Sequence, residues 1–404
     1  MEFQVTGSTL VSYNGVDECV VIPDHITHIG RFVFHNRSAI KSIIIPKSVT
    51  SIADGAFFGC KSLNDIKLPD GLMELGGGVF NGCLSLKEMV IPDGIKIIEA
   101  STFMNCKSLE KITIPKEVQK IGGNAFLNCE MLAEISLPDT IEVVEERAFE
   151  NTKWFNNLED DFVIIGKNVL YKYKGTAEKV VIPDGVMTIS WSAFADNKTI
   201  QSVIIPDSVT TIGYGAFYNC VNLAEVIYPA ELIDIGIDVF KNTKWLNDYD
   251  SDFLIIGKDI LYRYTKDEED VVIPDSVVHI APMAFAGCKK LKNVQIHEGV
   301  VSIGRGAFDS CTSLKKIVIP NGITSIGSWT FCECKNLEEV VLPNTITEIM
   351  DGAFESCKKL KKILIPDSVE HFGEGVFDEC SKSIQITYKG KTYKGADAFE
   401  NAIE

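Results

Sequence analysis

The sequence predicts a right-handed, parallel-stranded β-solenoid of about fourteen coils, and three observations carry that prediction. Prolines recur every 23 residues, an apolar alternation of period two precedes each of them, and a phenylalanine follows each landmark by eleven residues in all fourteen copies. One copy holds too few apolar residues for a core of its own. Each therefore buries its phenylalanine only by stacking on its neighbours, and stability becomes a sum over coils and their interfaces.

The beat runs through Pro23, Pro46, Pro69, Pro92, Pro115 and Pro138, then Pro183, Pro206 and Pro229, then Pro274, Pro320, Pro343 and Pro366, with His297 in the place of one proline. Three residues and one residue before the landmark stand apolar side chains such as Val203 and Ile205, the signature of a short strand. Proline, with its fixed φ and no N–H, suits the end of that strand. Asp, Asn, Gly or Ser then make a turn, as in "PDS" and "PNG". A second short extended piece carries apolar residues three and six positions after the landmark, as at Val209 and Ile212. A helical turn is expected next, presenting Ala216 and Phe217 and their equivalents inward, and a leucine six residues before the next proline closes the circuit.

The beat skips twice, between Pro138 and Pro183 and between Pro229 and Pro274, where the spacing is 45. Both gaps hold one insert, residues 151–175 and 242–266, whose apolar runs flank "GKN" and "GKD" and read as β-hairpins. A shorter relative, Phe3 to Gly15, opens the chain. The leucine or isoleucine six before the proline is missing only where a hairpin leads in, at Asp17, Ala177 and Glu268, so the hairpin is expected to supply that packing. Residues 1–22 then form an N-terminal hairpin cap and 380–404 a C-terminal cap, covering edges that an open solenoid end would expose. With no linker and no low-complexity segment, residues 1–404 are expected to form a single elongated domain.

The pattern L-x-x-I-x-I-P-[DN]-x-V-x-x-I-G-x-x-A-F-x-x-C, seen in "LAEVIYP" (Leu223 to Pro229) and "LKKIVIP" (Leu314 to Pro320), resembles the BspA-like class of leucine-rich repeats over nearly the whole chain. The resemblance implies a leucine-rich-repeat solenoid without a shared catalytic site, and a surface protein used in adhesion.

Composition narrows the partners. The net charge of −17 repels phosphate backbones, which argues against nucleic acid, and no apolar run is long enough for a membrane-spanning helix. The N-terminus has neither a basic nor an apolar leader region, and the thiols fit a reducing cytoplasm, whereas the resemblance implies a cell surface. The sequons at Asn36 and Asn197 do not decide between the two compartments. A monomer is expected.

Ten of the twelve cysteines share the position fourteen after the landmark, from Cys60 to Cys380, and read as a buried ladder of small thiols; bridges between stacked coils are the alternative. Cys332-Glu333-Cys334 is a lone C-x-C, and His25, His28 and His35 cluster only in sequence, so neither reads as a metal site. Asp follows the landmark in eight copies, from Asp24 to Asp367, and reads as local turn chemistry rather than stacked calcium ligands. No phosphate loop, nucleophile elbow, zinc-protease helix or dinucleotide fingerprint occurs, so no cofactor and no enzymatic activity is expected.

The strand face is more informative. Two residues before the landmark the side chain should point away from the core. Yet this position is aliphatic in ten of fourteen copies: Val21, Ile44, Val90, Val181, Ile204, Ile227, Val272, Val318, Val341 and Leu364. Charged positions such as Lys41, Glu134, Lys316, Glu339, Lys361 and Lys362 run beside them. Sheet propensity explains branched residues there; an apolar stripe flanked by charge is also a surface that a protein partner uses. The expected function is a non-enzymatic binding scaffold for a protein, with a glycan as the other ligand class. A purely structural spacer is the alternative.

Overall fold

The computed structural model describes residues 2–403 and shows a β-solenoid built on the 23-residue period, of about 16 turns when each internal hairpin counts as one. Each coil contributes two short strands and a row of turns. The first strand, such as Glu88–Val90 or Lys316–Val318, buries only its middle residue and exposes both neighbours. The turn after it is closed by the backbone. Val49 N–H donates to the Pro46 carbonyl at 3.1 Å and Val209 N–H to the Pro206 carbonyl at 3.0 Å, while the aspartates after the landmark lie exposed. The second strand is two residues long, as at Ser51–Ile52 and Glu348–Ile349, and buries its isoleucine. Both strands pair in parallel with the equivalent residues of neighbouring coils, Ile112 with Ile135 and Ile98 with Ile121.

The third side is not helical as expected. In the first coil Phe32, Phe34 and Asn36 send their N–H groups to Asp54, Ala56 and Phe58 of the next coil at 3.1, 2.8 and 2.7 Å. The intervening donors of His35 and Arg37 reach back three residues, to Phe32 and Phe34. A helix would keep all these bonds within one segment; here every second donor crosses to a neighbour, which ties the stack together. Such alternation needs left-handed backbone nine and thirteen residues after the landmark. Gly55 and Gly59 supply it at φ +59° and +69°, Asn105 and Asn128 at +61°. Helix content is low for this reason. Among the described residues the α-helices are α1 (Lys153–Asn156), α2 (Lys244–Asn247) and α3 (Ala396–Ile403). None is long and apolar enough to cross a membrane.

The chain packs as two compact units: the first runs to Ile200 and includes Ile212–Cys220, and the second comprises Gln201–Thr211 and everything from Val221 onward. In the first unit the coil phenylalanines form a continuous stack. Phe57, Phe80, Phe103, Phe126 and Phe149 follow one another at centroid spacings of 5.5, 5.3, 5.5 and 5.3 Å, and all are fully buried. In the second unit Phe285, Phe308, Phe331, Phe354 and Phe377 repeat the arrangement at 4.9 to 5.6 Å.

The hairpins enter this stack through tyrosines. The hairpin Phe3–Thr6/Thr9–Tyr13 lays Tyr13 on Phe34 at 5.2 Å, and the internal hairpins Phe162–Ile165/Val169–Tyr173 and Phe253–Ile256/Ile260–Tyr264 lay Tyr173 on Phe194 and Tyr264 on Phe285 at 5.1 and 5.2 Å. The same hydroxyls reach the position where leucine is missing. Tyr13 Oη donates to Asp17 at 2.9 Å, Tyr173 Oη accepts from Ala177 N–H at 3.3 Å, and Tyr264 Oη meets the Glu268 backbone. At the other end α3 sets Phe399, fully buried, edge-on against Phe377 at 5.9 Å.

Candidate functional site: the strand face

The geometry of the first strand decides which side chains are presented. Its middle residue points into the core, so the residues before and after it point out. All nine stripe positions, Ile44, Val90, Val181, Ile204, Ile227, Val272, Val318, Val341 and Leu364, are exposed, from 41% at Ile204 to 67% at Leu364, and so is Val21. Parallel register sets them side by side. In the first unit Val21 lies opposite Ile44, whereas Val90 faces Thr113, which faces Ser136. In the second unit Ile204 lies opposite Ile227 and Val318 opposite Val341, with Val272 beside Gln295 and Leu364 beside Thr387. The structure thus brings the candidates together as adjacent pairs, more densely in the second unit than in the first.

The charged flank is organised too. Lys41 pairs with Glu18 at 2.7 Å, Lys111 with Glu134 at 3.4 Å, Lys292 with Glu269 at 2.7 Å and Lys316 with Glu339 at 2.8 Å, each across neighbouring coils. Exposed pairs of this kind contribute little stability, about 0–1 kcal/mol each. Their effect is to neutralise the border, leaving the aliphatic pairs as its main chemical feature.

The family described as BspA type leucine rich repeat region (6 copies) matches residues 27–159, 163–255 and 254–384, nearly the whole chain. The chain belongs to the BspA-type leucine-rich repeat family. Among solved structures, a leucine-rich repeat protein from Bacteroides ovatus is 25% identical, with 95% of this chain and 84% of that one covered, at a TM-score of 0.33. A leucine rich cell surface protein from Faecalibacterium prausnitzii is 26% identical, with 98% and 93% covered and a TM-score of 0.35. A leucine-rich repeat protein from Eubacterium ventriosum is 22% identical, with 96% of this chain and 92% of that one covered, at a TM-score of 0.34. No curated protein matches the chain.

In this BspA-type scaffold the position fourteen after the landmark has a chemical rule that the sequence did not reveal: it is always a hydrogen-bond donor. Cys60, Cys83, Cys106 and Cys129 aim their Sγ atoms at the carbonyls of Phe34, Phe57, Phe80 and Phe103 at 3.0 to 3.3 Å. Cys311, Cys334 and Cys357 do the same to Phe285, Phe308 and Phe331, each at 3.2 Å. The carbonyl of Phe57 already accepts Cys60 N–H at 3.1 Å, so the thiol of Cys83 takes its second lone pair. Where cysteine is replaced, a donor persists. Arg37 Nη2 donates to the Tyr13 carbonyl at 2.6 Å and Asn197 Nδ2 to the Gly175 carbonyl at 3.3 Å. Thr152 and Thr243 turn to their own coil's phenylalanine carbonyl and cap α1 and α2 by accepting from Phe155 and Leu246 N–H. All twelve cysteines are free thiols.

The remaining candidates stay apart. Cys334 faces the core while Cys332 is only partly buried and hydrogen-bonds Asp309. His28 Nδ1 lies 2.7 Å from Thr27 Oγ1, whereas His35 packs against Phe58 at 5.2 Å. Among the described residues no three His, Cys, Asp or Glu side chains converge as a metal site.

Burial pushes the thiols of Cys60, Cys129 and Cys220 up to about 12 from their ordinary value near 9.0. The unfolded chain releases these protons first, so their contribution is whole below pH 9 and is lost as pH rises toward 12. Urea unfolding should show a free energy that declines above pH 9, by at most ~1.4 kcal/mol per pH unit for each thiol. Cys129→Ala should make that decline shallower; an unchanged slope would remove the thiols as its source.

Proposed function

We propose that this repeat scaffold is a recognition module that binds a protein partner through the strand face, chiefly the pairs Ile204/Ile227 and Val318/Val341 of the second unit. The supporting observation is the run of adjacent aliphatic side chains left 41% exposed or more at positions that a sheet does not require to be apolar. Covering a half-exposed valine or isoleucine contributes roughly 1 kcal/mol, so several adjacent pairs suffice for a specific contact. A glycan surface would offer rings and hydrogen-bonding groups instead. Aliphatic pairs match a polypeptide. Adhesion is one use of such a contact.

The test pairs wild type with Ile204→Glu/Val318→Glu as baits in a pull-down with mass spectrometry, followed by affinity measurement on the partner identified. Both sites are exposed, so the variant should keep its circular dichroism and melting temperature. Loss of about tenfold or more in affinity is expected. Equal retention of the partner by the variant would instead favour a spacer, in which deleting a hairpin matters and the face does not.

A further inference from the structure

Lysines without ion pairs gather at one end of the strand face. Eight of the chain's 39 basic residues fall between Lys358 and Lys394, in a protein whose net charge is −17. Lys359, Lys361 and Lys362 on and before the strand Lys362–Leu364, with Lys394 on the strand Lys391–Lys394, line a concavity of about 630 Å³ together with Glu338 and Gln385. Lys41, Lys111, Lys292 and Lys316 of this border each find a glutamate on the neighbouring coil. Here Lys362 lies opposite Gln385, which lies opposite Lys394, and Glu339 is engaged by Lys316. Among the described residues none of the four ammonium groups has a carboxylate partner, and Glu338 is the single acid in the concavity.

Protection of an open sheet edge accounts for lysines on the last strand, where charge discourages further pairing. It does not account for Lys362, on the opposite edge strand of that three-stranded sheet and packed beside Glu339–Val341, nor for Lys359 and Lys361, which precede that strand. Immediately beside them stand Leu364, 67% exposed, and Val341, 42% exposed. Four unneutralised cations next to an aliphatic pair present two chemistries at once: one satisfied by carboxylates, the other by apolar side chains.

We propose that this end of the second unit binds an acidic, aliphatic polypeptide segment of a partner protein, its carboxylates over the four lysines and its apolar side chains over Leu364 and Val341. The proposal rests on the strand-face reading and gives its partner a chemistry. An anionic polysaccharide satisfies the lysines but leaves the leucine uncovered, so the observations favour the polypeptide. Desolvated carboxylate–lysine contacts set orientation and association rate, and the apolar contacts add affinity that salt does not screen.

The experiment uses the full chain and fluorescein-labelled peptides of about twelve residues. One is rich in Glu and Leu, a second replaces Glu by Gln, and a third replaces Leu by Ser; heparin serves as the polysaccharide probe. Anisotropy should show saturable binding of the Glu/Leu peptide alone at low salt, weakened about tenfold or more by Lys361→Glu/Lys362→Glu and, separately, by Leu364→Glu. Equal binding of the Gln/Leu peptide, no saturable binding of the Glu/Leu peptide, or tight heparin binding without it would overturn the proposal. So would a concentration-dependent dimer of the wild type that the lysine variant abolishes, which would assign the face to a second copy. If the lysine reversal is silent while Leu364→Glu and Ile204→Glu weaken partner binding, this proposal fails and the strand-face reading stands. If Leu364→Glu and Ile204→Glu are both silent, the strand-face reading fails with it.

Discussion

Phe103→Ala is expected to lower the unfolding free energy by about 3–5 kcal/mol. Phe103 has no exposed surface and stacks on Phe80 at 5.3 Å and on Phe126 at 5.5 Å. Truncation removes the ring's transfer energy and leaves a cavity, and it breaks two stacking contacts at once. The cavity cannot close cheaply. The backbone on either side is pinned by inter-coil bonds, with Phe103 N–H on the Ala125 carbonyl at 2.8 Å and Asn105 N–H on the Leu127 carbonyl at 2.8 Å. The loss should exceed that of Phe103→Leu, which fills most of the volume. Equilibrium urea unfolding of both variants, followed by circular dichroism, gives the numbers. Because coils couple only to their neighbours, the damage should also appear as faster amide exchange in the coils around Phe80 and Phe126. A loss under about 1 kcal/mol would show that the aromatic stack is not what couples the coils.

Tyr171→Phe and Tyr262→Phe should each cost about 1–3 kcal/mol although only a hydroxyl is removed. In ordinary coils the phenylalanine N–H is accepted by a carbonyl of the next coil, as Phe126 N–H is by Ala148 at 2.8 Å. At the two inserts a side chain takes over that role. Tyr171 Oη accepts from Phe149 N–H and Tyr262 Oη from Phe240 N–H, both at 3.0 Å and both buried. Without the hydroxyl a buried amide loses its acceptor. Tyr173→Phe is the internal control. Its hydroxyl accepts a longer, partly buried bond of 3.3 Å from Ala177 N–H, so a loss below ~1 kcal/mol is expected. Equal, negligible losses at all three sites would mean that water replaces the hydroxyl. Burial pushes the Tyr171 and Tyr262 hydroxyls above their ordinary range, so both stay protonated through the neutral range in which the comparison is made.

Much of this architecture was legible because its rules are local and repeated. The proline beat placed the end of each coil's first strand, the period-two alternation separated the buried Ile317 from the exposed Val318, and the invariant phenylalanine announced the stack. The hairpins were readable as apolar runs around "GKN" and "GKD". The stripe positions were legible for the same reason: alternation along a strand sends them outward whatever the neighbouring coils do.

Other features were not legible, and their cause is shared. The expected helical turn became a row of turns because half of its donors find acceptors 22 residues away, as Phe34 N–H does at Ala56, and nothing within the segment records that preference. The cysteine register was visible, but not that the thiol serves a carbonyl 26 residues earlier and that Arg37, Asn197, Thr152 and Thr243 keep the donor role. The lysine-rich end was hinted at by "KKLKK", Lys358 to Lys362, yet only pairing across coils shows which lysines lack a carboxylate.

The sequence by itself therefore determined the coil: its period, its strand positions, its inward and outward faces and its family. Tertiary structure decided the bonding between coils: which donor meets which carbonyl, which tyrosine hydroxyl takes the place of a carbonyl, which charges neutralise one another. The physical reason is distance along the chain. Side-chain direction is set within a few residues by backbone period, whereas a hydrogen bond or ion pair 20 to 26 residues away exists only once neighbouring coils are stacked in register.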